Sequence, residues 1–148
     1  RIINGLKGMA VKQLDEFARA WILQRSLALA KAINMTTMDA IRKALAEGFA
    51  EGESIQQLSK RIEGYFTENA KVRAEMISRT EVISASNEGA LHRYQLEGID
   101  KSEFYPSPDA CDVCLEIAQD PIYITKDASG VIPVHPNCRC VWLPVIPD

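Results

Sequence analysis

Residues 111–140 read CDVCLEIAQDPIYITKDASGVIPVHPNCRC, and this stretch holds all four cysteines of a 148-residue chain. Cys111 and Cys114 form a C-x2-C knuckle, a spacing that lets two thiolates reach one ion from a tight turn. His135, Cys138 and Cys140 follow after twenty intervening residues. Thiols clustered with an imidazole point to a metal, whereas scattered pairs would point to disulfides. Zinc takes four soft or borderline ligands in a tetrahedron, and five are on offer. The expected set is Cys111, Cys114, His135 and Cys138. Cys140 is the alternative to either member of the second pair, because a C-x-C step on a strand sends alternate side chains apart. The rival readings are a pair of disulfides, or four unrelated buried cysteines.

The need for such a site follows from size. From Gly98 to Asp148 the chain has few large apolar side chains. That is too small a core to fold unaided. A structural zinc supplies on the order of 10 kcal/mol of apparent binding energy, which becomes folding energy. A catalytic zinc would keep an open position, and four or five strong ligands leave none. The zinc-deaminase order, H-x-E ahead of P-C-x-x-C, is absent. The sequence therefore predicts structural Zn2+ and no catalytic residue.

Upstream of this module the pattern is helical. A first helix is expected from about Leu6 to Ile33, with Ala10, Leu14, Phe17, Trp21 and Ala28 on one apolar stripe. Asn34 to Thr37 breaks it, and Thr36 or Thr37 is the expected N-cap of a second helix carrying Met38, Ile41, Leu45 and Phe49. That helix stops around Glu51-Gly52. Ser54 followed by Gln57 is a capping-box pattern opening a third helix, whose expected buried face is Ile55, Leu58, Ile62 and Tyr65. A long fourth helix runs from about Asn69 to Leu96 and stops at Gly98. Val72, Met76, Ile83, Ala90, Leu91 and Tyr94 are its expected core contacts, and Gly89 is expected to permit close helix packing.

Beyond Gly98 helical periodicity vanishes and β-rich runs appear at Glu103–Tyr105, Ile122–Thr125, Val131–Val134 and Val141–Val145. Asp127 to Gly130 looks like a hairpin turn between the second and third runs. Cys114–Gln119 is placed as a short helix. The fold class is α+β: an N-terminal helical bundle whose long helix leads into a small zinc-stapled, β-containing module.

The long helix also carries Arg79-Thr80-Glu81 and Asn87-Glu88-Gly89. Helix-surface ion pairs, Glu75 with Arg79 and Glu88 with His92, account for most of them. Two further readings are an active site, and a clamp in which Arg79, Glu81 and Asn87 hold the helix onto the metal module through buried hydrogen bonds. His92 is expected at a surface or interface, and Trp21 and Trp142 in the core.

Apolar residues make up 47% of the chain and charged residues 25%, the balance of a globular protein. No apolar run is long enough for a bilayer and no signal-peptide pattern is present. The chain opens at Arg1 without an initiator Met, as expected of a fragment or processed product. Residues 1–98 hold 14 Lys/Arg against 12 Asp/Glu, while residues 99–148 hold 3 against 8. With a net charge of −3, broad phosphate contact is not expected.

The ordered set Arg79-Thr80-Glu81, Asn87-Glu88-Gly89, Tyr94, Gly98, Cys111-x2-Cys114, His135-Pro136-Asn137-Cys138-Arg139-Cys140 and Leu143-Pro144-Val145 resembles the phage Mu F-like family over about residues 70–146. These are minor head, or head morphogenesis, proteins of tailed phages and prophages. The resemblance implies a minor capsid component in few copies, associated with the portal inside the head and made in the bacterial host cytoplasm. It implies a role in procapsid assembly, and in DNA packaging or ejection. The chain departs from the family near Phe104-Tyr105, where members often carry a Trp, and at Pro121, where they often carry a glycine. Residues 1–69 are then a helical, portal-binding region, and residues 70–148 the Mu F-like domain, with a long helix over 70–97 and the module over 99–148. Expected partners are the portal protein and capsid or scaffold subunits, with at most weak DNA contact, no membrane and no small-molecule substrate. The alternative is a metal-supported nuclease or toxin-type enzyme using Arg79, Glu81, Asn87 and His135.

Overall fold

A computed structural model of the chain describes residues 11–24, 35–67 and 69–148. Within that range the order is α1 (Val11–Gln24), α2 (Met35–Ala50), α3 (Ile55–Glu63), α4 (Ala70–Leu96), β1 (Lys101–Tyr105), α5 (Asp112–Ile117), β2 (Ile122–Ile124), a 3-10 turn (Thr125–Asp127) and β3 (Val141–Pro144). The three strands form one antiparallel sheet in the order β2-β1-β3, and the fold is α+β. No helix among the described residues is long and apolar enough to cross a membrane.

Two cores share one helix. The first gathers Ile22 from α1, Ile41 and Leu45 from α2, Leu58 and Ile62 from α3, and Ala74, Ile77 and Ala85 from α4. The second gathers Leu91 from α4 with Phe104, Ala128, Ile132, Trp142, Cys114, Cys138 and Cys140. Three of these eight residues are cysteines, so much of the second interior is sulfur. The 27-residue α4 is buried in the helical core over its first half and against the sheet module over its second.

The predicted first helix is present over Val11–Gln24, while its flanks at 6–10 and 25–33 lie outside the described residues. Thr36 and Thr37 do not cap α2; both lie inside it. The capping box of α3 forms in both directions, with Gln57 N–H donating to Ser54 Oγ at 3.2 Å and Ser54 N–H to Gln57 Oε1 at 2.9 Å. The chain turns out of α3 at Gly64, so Phe66 fills the core where Tyr65 was expected, and Tyr65 is exposed. On α4, Val72 is exposed and Ala74 and Ile77 are buried in its place, while Leu91 is buried and Ile83 and Tyr94 pack against the second core as expected. Gly89 makes no close approach: a Cβ there would meet no atom within 4 Å.

Val131–Val134 does not form the predicted strand, and residues 127–130 do not turn a hairpin. Pro133 lacks the N–H a ladder needs, and Ile132 is drawn into the second core. The sheet's third strand is Val141–Pro144 instead, paired to β1 with Phe104 opposite Trp142. The short helix begins at Asp112, before Cys114.

Candidate metal centre

Cys111 stands at the N-cap of α5 in extended conformation, and Cys114 lies one turn on, with its side chain fully buried. Their sulfurs are 3.7 Å apart. Two sulfurs each about 2.3 Å from one ion at the tetrahedral angle stand about 3.8 Å apart, so the pair already has the spacing of two corners of one coordination tetrahedron.

His135 reaches the same sulfur from the other side, its Nε2 being 3.3 Å from Cys114 Sγ. Nδ1 is 2.8 Å from the Pro136 carbonyl oxygen. A carbonyl only accepts, so Nδ1 carries the proton and the Nε2 lone pair faces the thiols, as a metal-binding imidazole requires. The turn beneath explains the His-Pro-Asn-Cys order. Cys138 N–H donates to His135 O at 3.1 Å across Pro136 and Asn137, and Asn137 has φ 62. Proline second and a left-handed residue third is the residue pattern of a type II turn, and asparagine tolerates that φ better than most side chains.

Two triads result: Cys111 with Cys114 and His135, and Cys114 with Cys138 and Cys140. Within each, the ligand atoms lie within 4.8 Å of one another. Cys114 belongs to both, so the other four residues singled out by spacing surround its sulfur. The Cys/His groups fit a metal ion. Electrostatics agree with the donor chemistry. The Cys114 backbone N–H, at the start of α5, holds the Cys111 thiol below its usual range. Burial, reinforced by the Cys111 and Cys140 side chains, pushes Cys114 well up, and burial raises Cys140 as well. Several thiolates cannot share this space without a cation to offset them.

Polar residues on α4 hold the module in place. Asn87 accepts from Trp142 N–H at 2.9 Å and donates to Cys140 O at 3.2 Å and Ile83 O at 3.0 Å. Glu88 accepts from Ser129 Oγ at 2.8 Å and Gly130 N–H at 2.7 Å. Thr80 Oγ1 accepts from Asn137 N–H at 3.0 Å, fixing the turn that carries His135 and Cys138. Glu81 is buried, at 2% exposure. Arg79 instead pairs with Glu75 at 3.2 Å on the surface of the helix. The expected Glu88–His92 pair does not form, because Glu88 is committed to the 129–130 loop and the His92 ring stacks on Phe17 at 4.1 Å. Thr80 and Glu88 were the contributors that residue type alone did not single out as module contacts; their partners lie 57 and 41 or 42 positions away.

No curated protein and no solved structure matches the chain. One protein-family model, described as "Phage Mu protein F like protein", matches residues 39–143, from the second turn of α2 into β3. That match covers more than half of the chain and includes the knuckle, the His-Pro-Asn-Cys turn and the α4 residues that grip them. The chain belongs to the phage Mu protein F-like family of phage head morphogenesis proteins.

Proposed function

We propose that this chain is a minor capsid component of a tailed phage or prophage, acting in head assembly beside the portal, with its C-terminal module held in shape by one zinc ion. The supporting observation for the metal is the convergence of three thiols and one imidazole on the Cys114 sulfur. A sulfur-rich donor set with an imidazole suits zinc best among the common divalent ions. Cys111, Cys114, His135 and Cys138 would hold it, with Cys140 as the alternative fourth ligand. When bound, the ion supplies cross-linking in place of apolar burial, and no chemistry. Asn87, Glu88 and Thr80 transmit that rigidity to α4, so the helical region and the module move as one piece.

Family membership supports the head role. Portal, capsid or scaffold subunits are the partners that role calls for, and residues 1–69 are the portal-facing region in this reading. The virion interior is its destination. Contact with DNA is a minor element at most, given eight acidic against three basic residues beyond residue 98.

Elemental analysis of the purified chain, combined with co-purification against a candidate portal protein from the same phage, tests both halves. One zinc per chain and a stable complex are expected. A metal-free chain whose cysteines are joined in disulfides overturns the metal assignment, and failure to associate with any portal or capsid subunit overturns the assembly role.

A further inference from the structure

The four thiols differ in what can reach them. Cys111 is exposed, while Cys114, Cys138 and Cys140 are buried at 0%, 1% and 1% exposure. A reagent in solution therefore meets Cys111 first. The thiol that Cys111 meets in turn is Cys114, whose sulfur is 3.7 Å away; Cys138 and Cys140 group with Cys114 and not with Cys111. Cys111 is the N-cap of α5 and Cys114 lies three residues on. Helix geometry puts two such Cα atoms about 5 Å apart, inside the range of about 4.4–6.8 Å that a disulfide spans. Joining the sulfurs thus calls for side-chain rotation and no backbone movement.

We propose that Cys111 and Cys114 are a reversible dithiol–disulfide pair, closed by a small-molecule disulfide of the glutathione type and mutually exclusive with the metal. The Cys111 sulfur attacks one sulfur of oxidised glutathione. The S–S bond of the reagent breaks, a Cys111–glutathione bond forms, and one reduced glutathione leaves with the Cys111 proton. The Cys114 sulfur then attacks the Cys111 sulfur, forming the Cys111–Cys114 bond and releasing the second glutathione with the Cys114 proton. The chain gives up two electrons and two protons, and the reagent gains both. In the zinc-loaded chain the departing glutathiones take their protons from water and Zn2+ leaves, a clause that rests on the zinc reading above. Closure removes Cys114 from both triads, and His135 loses both of the sulfurs it groups with. The same two sulfurs cannot serve the ion and each other.

The test holds the reduced, zinc-loaded full chain in oxidised glutathione. Peptide mass spectrometry maps the cysteine pairs while a chromogenic chelator reads released zinc. A Cys111–Cys114 bond is expected, with a transient glutathione adduct on Cys111, zinc released in step with the bond, and the bond reopened by dithiothreitol. Cys114→Ser removes the second attack, so its Cys111 adduct is expected to last at least about tenfold longer than in the parent chain. The map of the parent chain decides the matter if that variant misfolds. A bond between any other two cysteines overturns the proposal, as does an adduct that persists in the parent chain, a chain that does not react, or a disulfide formed with zinc still held. A chain that carries no zinc overturns the metal reading alone, and the same map of that chain still decides the pairing.

Discussion

Asn87 on α4 accepts a hydrogen bond from the backbone N–H of Trp142 on β3 at 2.9 Å, standing in for the neighbouring strand that β3 lacks. Its amide nitrogen meets the Cys140 carbonyl two residues back, so one side chain satisfies a donor and an acceptor on the same strand edge. Asn87→Ala leaves both backbone groups buried and unpaired. Each costs about 1–3 kcal/mol, and a loss of about 2–4 kcal/mol is expected in all. Denaturant unfolding followed by Trp142 fluorescence, in a Trp21→Phe background, measures it. A loss below about 0.5 kcal/mol would show that water replaces the amide freely.

Metal removal should act on one core and spare the other. Cys114, Cys138 and Cys140 are themselves part of the second core, whereas the first is built from Ile22, Ile41, Leu45, Leu58 and Ile62 with no cysteine. A strong zinc chelator is therefore expected to abolish amide protection in β1, β2 and β3 while α2 and α3 retain theirs. Hydrogen exchange read by mass spectrometry resolves the two. Uniform protection with and without chelator would show that the module stands without an ion.

Two glycines predict opposite outcomes. Gly48 on α2 faces α3 so closely that a Cβ would run into Leu58 and lie 2.6 Å from Glu53 Oε2. Gly48→Ala is expected to destabilise by about 1–3 kcal/mol, since overpacking exceeds the helix-propensity gain of about 1 kcal/mol. Gly89 on α4 leaves an added Cβ in open space, so Gly89→Ala is expected to stabilise by about 0.5–1 kcal/mol. Thermal melts of the two variants against the parent chain check both signs.

What the sequence made legible follows from how local each signal is. The Ser54–Gln57 capping box, the stop at Gly98 and the Cys111–Cys114 knuckle are decided within a few residues, and the structure has all three where they were expected. The face of α4 was harder. Its first half meets helices and its second meets a sheet, and Ser78, Thr80, Glu81, Ser84, Asn87 and Glu88 are all buried on it, so no continuous apolar stripe marks the inward side. Partners such as Asn137 and Gly130 come from loops more than forty residues away, which periodicity cannot see. Val131–Val134 failed for a related reason. Its β-branched composition is that of a strand, but Pro133 and the pull of Ile132 into the core are backbone and tertiary facts.

Glu53 gives the fold a pH dependence of known sign. Arg61 grips its carboxylate with two bonds, Nε to Oε2 at 2.6 Å and Nη2 to Oε1 at 2.7 Å, while Nη2 also reaches Glu51 at 2.9 Å. The direct bonds from Arg61 hold the Glu53 carboxyl below its ordinary value of 4.5. A carboxyl whose folded pKa is depressed stabilises the fold fully above its unfolded value, and that contribution drains away as pH falls through the folded value. The window therefore opens near pH 4.5 and extends downward. Glu53→Gln removes the titration and keeps the shape. The parent chain is expected to be the more stable of the two at neutral pH, and the gap to narrow steadily below pH 4.5. Paired urea titrations across that range measure it, and a gap that stays constant would show that the Arg61 fork contributes nothing pH-dependent to stability.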